Sequence, residues 1–198
     1  GKTIMKELQP PHINPPSEQD LYTKQFGGIT SVNSDYMLNN INNVKYVMLQ
    51  MQRQEALHIS HIGFYGASRQ RIQELASTMG YNGKYAPPLG NDAKYGIRNT
   101  HDGNQNTIGH TDSINLFVKC PYFMYELPSS PALDFMIIKN RNVNYRERLE
   151  GTAIILLNKD YIPLKQLIIS KSNWSNSNSW VGVGLTREYN IKEFVDFD

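Results

Sequence analysis

From Ser34-Asp35 onward the apolar residues Met37, Ile41, Val44, Met48 and Met51 recur at spacings of four, three, four and three. That is the period of one helical face, and the opposite face would carry Asn39, Asn40, Asn42, Asn43, Gln50, Gln52 and Gln54, polar but uncharged. The pattern is too short for the three or four heptads of a coiled coil, so the stripe is expected to pack on the protein's own sheet. A second helix is bounded by Ser68 as its cap and Gly80 as its left-handed stop, with Ile72, Leu75, Ala76 and Met79 as the apolar stripe. Beyond residue 112 the period changes. "SINLFVKCPYFMYEL", "LDFMIIKN", "GTAIILLNKDYIPLKQLIIS" and "SWVGVGLTREYNIKEFVDF" are runs of β-branched and aromatic residues separated by turn formers, with Asn158-Lys159-Asp160 as a hairpin tip. Without helical crossovers such strands pair antiparallel. The fold class predicted is α+β: two N-terminal helices packed on a mostly antiparallel sheet of four to six strands.

Two stretches stand outside this pattern. Residues 1–33 read as an extended arm, because "QPPHINPPSEQD" sets Pro10-Pro11 and Pro15-Pro16 around Ile13, and each proline removes a donor and extends its predecessor. Residues 81–112 hold five glycines and little apolar periodicity, and a loop that long in a compact domain is usually functional or disordered. The organisation expected is an arm followed by one domain, residues 34–198.

Composition narrows the class. Charged residues make up only 19% of the chain, and 20 asparagines supply much of the remaining polarity, which favours turns. A net charge of +2 lacks the long-range pull of a dedicated nucleic-acid or membrane-surface binder. The single cysteine, Cys120, excludes an intrachain disulfide or a multi-thiolate zinc site and reads as a buried, inert thiol. No run of 18 apolar residues occurs, so a soluble chain is expected, in a virion or the cytoplasm. Because Gly1 stands where an initiator Met would, a removed signal peptide stays open. The sequon Asn173-Trp174-Ser175 falls in a Ser/Asn-rich loop and reads as a chance match.

Candidate chemistry centres on "HDGNQNTIGHTD", where His101, Asp102, His110 and Asp112 are all metal-ligand types. Eight residues of loop composition separate the histidines, unlike the short spacings of rigid metal motifs, so side-chain-to-backbone turns are the expectation. Asp134 suits the first ligand of a nuclease-type metal site, but the strand after it, "GTAIILLNK", offers no acidic residue in its interior. There is no Gly-x-Ser-x-Gly elbow, and "GFYGASR" lacks the Gly-Lys-Ser/Thr ending of a phosphate loop. Arg69 and Arg71 fall in a first helical turn, where the dipole disfavours cations; contact with an anion is one reading, and solvated surface arginines are the expectation. Arg141, Arg146 and Arg148 surround Tyr145 in the densest basic patch, read as solvated or protein-contacting.

Tyr81, Tyr85 and Tyr95 belong to a total of 12 tyrosines, a residue enriched at protein interfaces. The expectation is therefore a non-enzymatic structural subunit of a large assembly, such as a virus or phage particle or a secretion machine. It would need no cofactor and would contact other subunits, copies of itself among them, through Pro10, Pro11, Ile13, Pro15, Pro16 and the three tyrosines. The rival is a metal-dependent hydrolase built on His101, Asp102, His110 and Asp112, or on Asp134. Nucleic acid and membrane insertion are not expected.

Overall fold

A computed structural model describes residues 43–53, 55–81, 84–85, 88–104, 106–112, 120–128, 132–141, 144–170 and 186–197. The arm, the sequon and the first nine residues of the first predicted helix lie outside them. The rest of that helix is a strand: β1 (Tyr46–Gln50) is buried along its whole length. It pairs with β7 (Tyr122–Glu126) on one side and β9 (Ala153–Leu157) on the other, at the middle of a seven-stranded sheet. The helical stripe of Val44, Met48 and Met51 passed over Tyr46, Val47 and Leu49, which are equally buried. A strand covered on both faces is apolar at nearly every position, and any helical period can be drawn through it.

The second predicted helix is likewise absent. Arg69 and Glu74 have φ of 60° and 61°, a left-handed geometry that interrupts helical winding, and Ala76–Tyr81 is strand β4. Two N-terminal helices on a sheet are thus replaced by a β-architecture. The large sheet runs in the order β12, β10, β9, β1, β7, β4, β5, where β5 is Lys84–Tyr85, β10 is Pro163–Ile168 and β12 is Val195–Asp196. A second sheet places β8 (Phe135–Lys139) between β3 (His61–Tyr65) and β11 (Thr186–Asn190). The third is a two-stranded ribbon, β2 (His58–Ile59) with β6 (Gly109–His110).

Every pairing among the described strands is antiparallel. β9 and β10 form the hairpin whose tip is Asn158-Lys159-Asp160. Asn158 Oδ1 accepts from the amides of Asp160 and Ile162, and Tyr161 takes a left-handed φ of 62°. One core joins the two larger sheets: Phe64 of β3 meets Tyr125 of β7 at 5.4 Å between rings, among Val47, Met48, Leu49, Met136 and Ile138. Among the described residues no helix is long and apolar enough to cross a membrane.

Candidate functional site

The stretch read as one long loop is folded from residue 88 onward. Helix α1 (Asp92–Tyr95) starts at Asn91, whose side chain accepts from the Lys94 amide at 2.8 Å, and a 3-10 helix follows over Ile97–Thr100. Ile97 and Thr100 are buried, and the Thr100 hydroxyl bonds both the Ile97 carbonyl at 2.7 Å and the Tyr125 hydroxyl at 2.8 Å. β6 lies so close to this helix that a Cβ on Gly109 would meet Thr100 Cγ2 at 2.6 Å. The block is fastened to the body at Leu57, whose amide donates to Thr111 Oγ1 and whose carbonyl accepts from the Thr111 amide.

At this junction His58 and His110 face each other across the β2–β6 ribbon, rings 5.1 Å apart. His110 Nδ1 lies 2.6 Å from the Thr111 carbonyl, while neither ring nitrogen of His58 has a hydrogen-bond partner among the described residues. Burial, then His110, Arg141 and Arg148, hold the His58 pKa down to about 3. Burial and the same two arginines lower that of His110 as well, against the opposing carbonyl contact and Asp112. Both imidazoles are therefore neutral at pH 7.

Outside the ribbon opens a cleft of about 730 Å³, lined by Ala93, Lys94 and Tyr95 of α1, by Asn106, Thr107 and Ile108, and by Arg141. The Lys94 ammonium sits 5.2 Å from the Tyr95 ring centre, and the Arg141 guanidinium 5.5 Å from that of Tyr145. No carboxylate lines the cleft among the described residues. Neither cation joins an ion pair among the described residues, although Lys45, Arg69, Arg148, Lys165 and Arg187 do. Two unneutralised cations beside an aromatic ring and polar side chains can hold an anionic partner.

The other residues singled out from sequence are dispersed. His101 Nε2 lies 2.9 Å from Ser77 Oγ, and burial with Arg71 and Arg98 holds its pKa to about 4. Asp102 accepts from the Asn104 amide, a turn of the kind its sequence suggested. Asp112 follows the Thr111 anchor, and Asp134 sits before β8 with its amide on the Tyr65 carbonyl. No group of three or more His, Cys, Asp or Glu side chains converges among the described residues. The anion beside Arg69 is the chain's own Glu188, 3.2 Å away, and Arg71 forms a backbone bridge with Tyr65. Arg148 pairs with Glu55 and Arg146 Nε donates to the Arg141 carbonyl, so Arg141 alone of that trio reaches the cleft. Tyr81 ends β4 half-buried, Tyr85 is in β5, and Cys120 is buried.

Sequence reasoning reached Tyr95 and Arg141 but missed Lys94, Asn106, Thr107, Ile108 and His58. The cap "NDAK" was a usable signal for Lys94, since Asn91 starts the helix that presents it. Nothing local marks His58 as the partner of His110, because the pairing is made by the ribbon. Comparison with family models, curated proteins and solved structures finds no match to this chain.

Proposed function

We propose that this protein is a non-enzymatic interaction subunit of a multi-chain assembly, contacting its neighbours through the N-terminal arm and through the 88–112 block. One observation carries the reading: the block is a folded platform whose open cleft presents Lys94 and Arg141 with no carboxylate beside them among the described residues. A preformed surface loses little entropy when a partner docks, unlike the structureless loop suggested by composition. The histidines support it too, since His101 and His110 are engaged with Ser77 and the Thr111 carbonyl in the packing of that platform.

The test is deletion of residues 1–20. The truncated chain is expected to unfold at nearly the same temperature as the full chain, by calorimetry, while its association, followed by light scattering, is weakened. Truncated protein that unfolds as a monomer would place the arm in its own core and end the inter-subunit reading. So would stoichiometric zinc, manganese or iron in the purified protein that disappears in a His101→Ala/His110→Ala variant, because the hydrolase reading would then take over.

A further inference from the structure

We infer that the cleft's occupant is the acidic part of the arm, residues 17–20, from a second copy of this chain. The inference rests on the interaction-subunit reading and names the partner of that surface. Between Lys6 and Lys24 the sequence contains Glu7, Glu18 and Asp20 and neither Lys nor Arg, making this stretch the electrostatic complement of Lys94 and Arg141. In an extended segment, residues two apart face the same side, so Glu18 and Asp20 meet one wall together, and that wall supplies two cations. Leu21 and Tyr22 follow directly and match the apolar part of the lining, Tyr95 and Ile108.

Reach is sufficient. The 22 residues between Asp20 and Asn43 span up to roughly 75 Å when extended, against a radius of gyration of about 15 Å for a domain this size. Pro15 and Pro16, just before the acidic residues, restrict the free arm and reduce the entropy lost on docking. The contact is reciprocal in kind: each copy carries one acidic arm and one basic cleft.

Charge reversal in the full-length chain tests this. One variant carries Lys94→Glu and Arg141→Glu, leaving arm and cleft both acidic; the other carries Glu18→Lys and Asp20→Lys, leaving both basic. Each alone is expected to self-associate at least about tenfold more weakly, by analytical ultracentrifugation, since like charges oppose docking. An equimolar mixture is expected to regain association as mixed species, because each arm then meets a cleft of opposite sign. Circular dichroism establishes that the variants fold; if a reversal does not, Lys94→Ala with Arg141→Ala carries the cleft arm of the test, with the same weakening expected. A mixture that stays dissociated, a docked arm that leaves the chain monomeric, or association indifferent to the cleft variants overturns the inference. Arm deletion separates the two levels: association lost with the arm but untouched by cleft reversal sinks this occupant and keeps the subunit reading. Association that survives arm deletion sinks the arm's role in both.

Discussion

His58 is the residue whose chemistry is most exposed to its fold. Its imidazole is buried, unpartnered at both nitrogens among the described residues, tilted against His110, and under the positive field of Arg141 and Arg148, while Asp112 acts in the opposite sense on His110. An unfolded histidine takes up its proton near pH 6.5, whereas His58 in the fold does so only at about 3. Below pH 6.5 the unfolded state binds a proton that the folded state refuses, so stability falls with pH down to about 3, by up to about 1.4 kcal/mol per pH unit. Replacing it by Leu removes both the titration and two unsatisfied buried nitrogens. His58→Leu is expected to equal or exceed the wild type at pH 7, and to lose about 2 kcal/mol less between pH 7 and 5, measured by urea unfolding. An unchanged pH dependence would show that His58 is accessible to protons in the fold. His110 was visible in the sequence as a chemically active type, but its neutral, packed role was not, because both that role and its partner come from strand pairing.

At the scale of elements the sequence was legible where turns and strands coincide, as at the Asn158 hairpin, and misleading where burial was two-sided. Val44, Met48 and Met51 fit a helix only because β1 is apolar on both faces. Over residues 69–74 the information was missing outright: Arg69 and Glu74 are left-handed without being Gly or Asn, so no local residue type announced the break. The 88–112 block is the opposite case, its glycines reading as looseness although Gly109 marks a close approach. A methyl there would collide with Thr100 Cγ2, and the neighbouring Thr100 hydroxyl is held by Ile97 and Tyr125. Gly109→Ala is therefore expected to destabilise the protein by about 1–3 kcal/mol, the usual range for overpacking. Thr100→Ser keeps the hydroxyl and removes the colliding methyl. The double variant is expected to be more stable than the sum of the two single effects, in a denaturation cycle. Strict additivity would mean that strain at Gly109 arises elsewhere.

For the whole molecule, the antiparallel character followed from the absence of helical crossovers, but the division into three sheets did not. β2, β5, β6 and β12 are two residues each, too short to carry an alternating pattern, and they include the ribbon that builds the site. The electrostatics are similarly a property of the assembled chain. Its formal charge is +2, and among the described residues five cations are held in internal ion pairs, including Arg148 of the densest basic patch. Arg146 is turned back onto the Arg141 carbonyl, so the cations that line the cleft are Lys94 and Arg141. Two cations neutralising two phosphates would give a slope of log affinity against log salt of only about −1.8 on duplex DNA, against −5 or steeper for a protein making six or more such contacts. Binding resting on so small a term is expected to be undetectable by fluorescence anisotropy at about 0.15 M salt, for single-stranded and duplex DNA alike. If DNA does bind there, with a slope well beyond −2 that shrinks when Arg146 and Arg148 become Ala, the internal pairings of those arginines are not what sets their role, and the cleft belongs to a nucleic-acid surface.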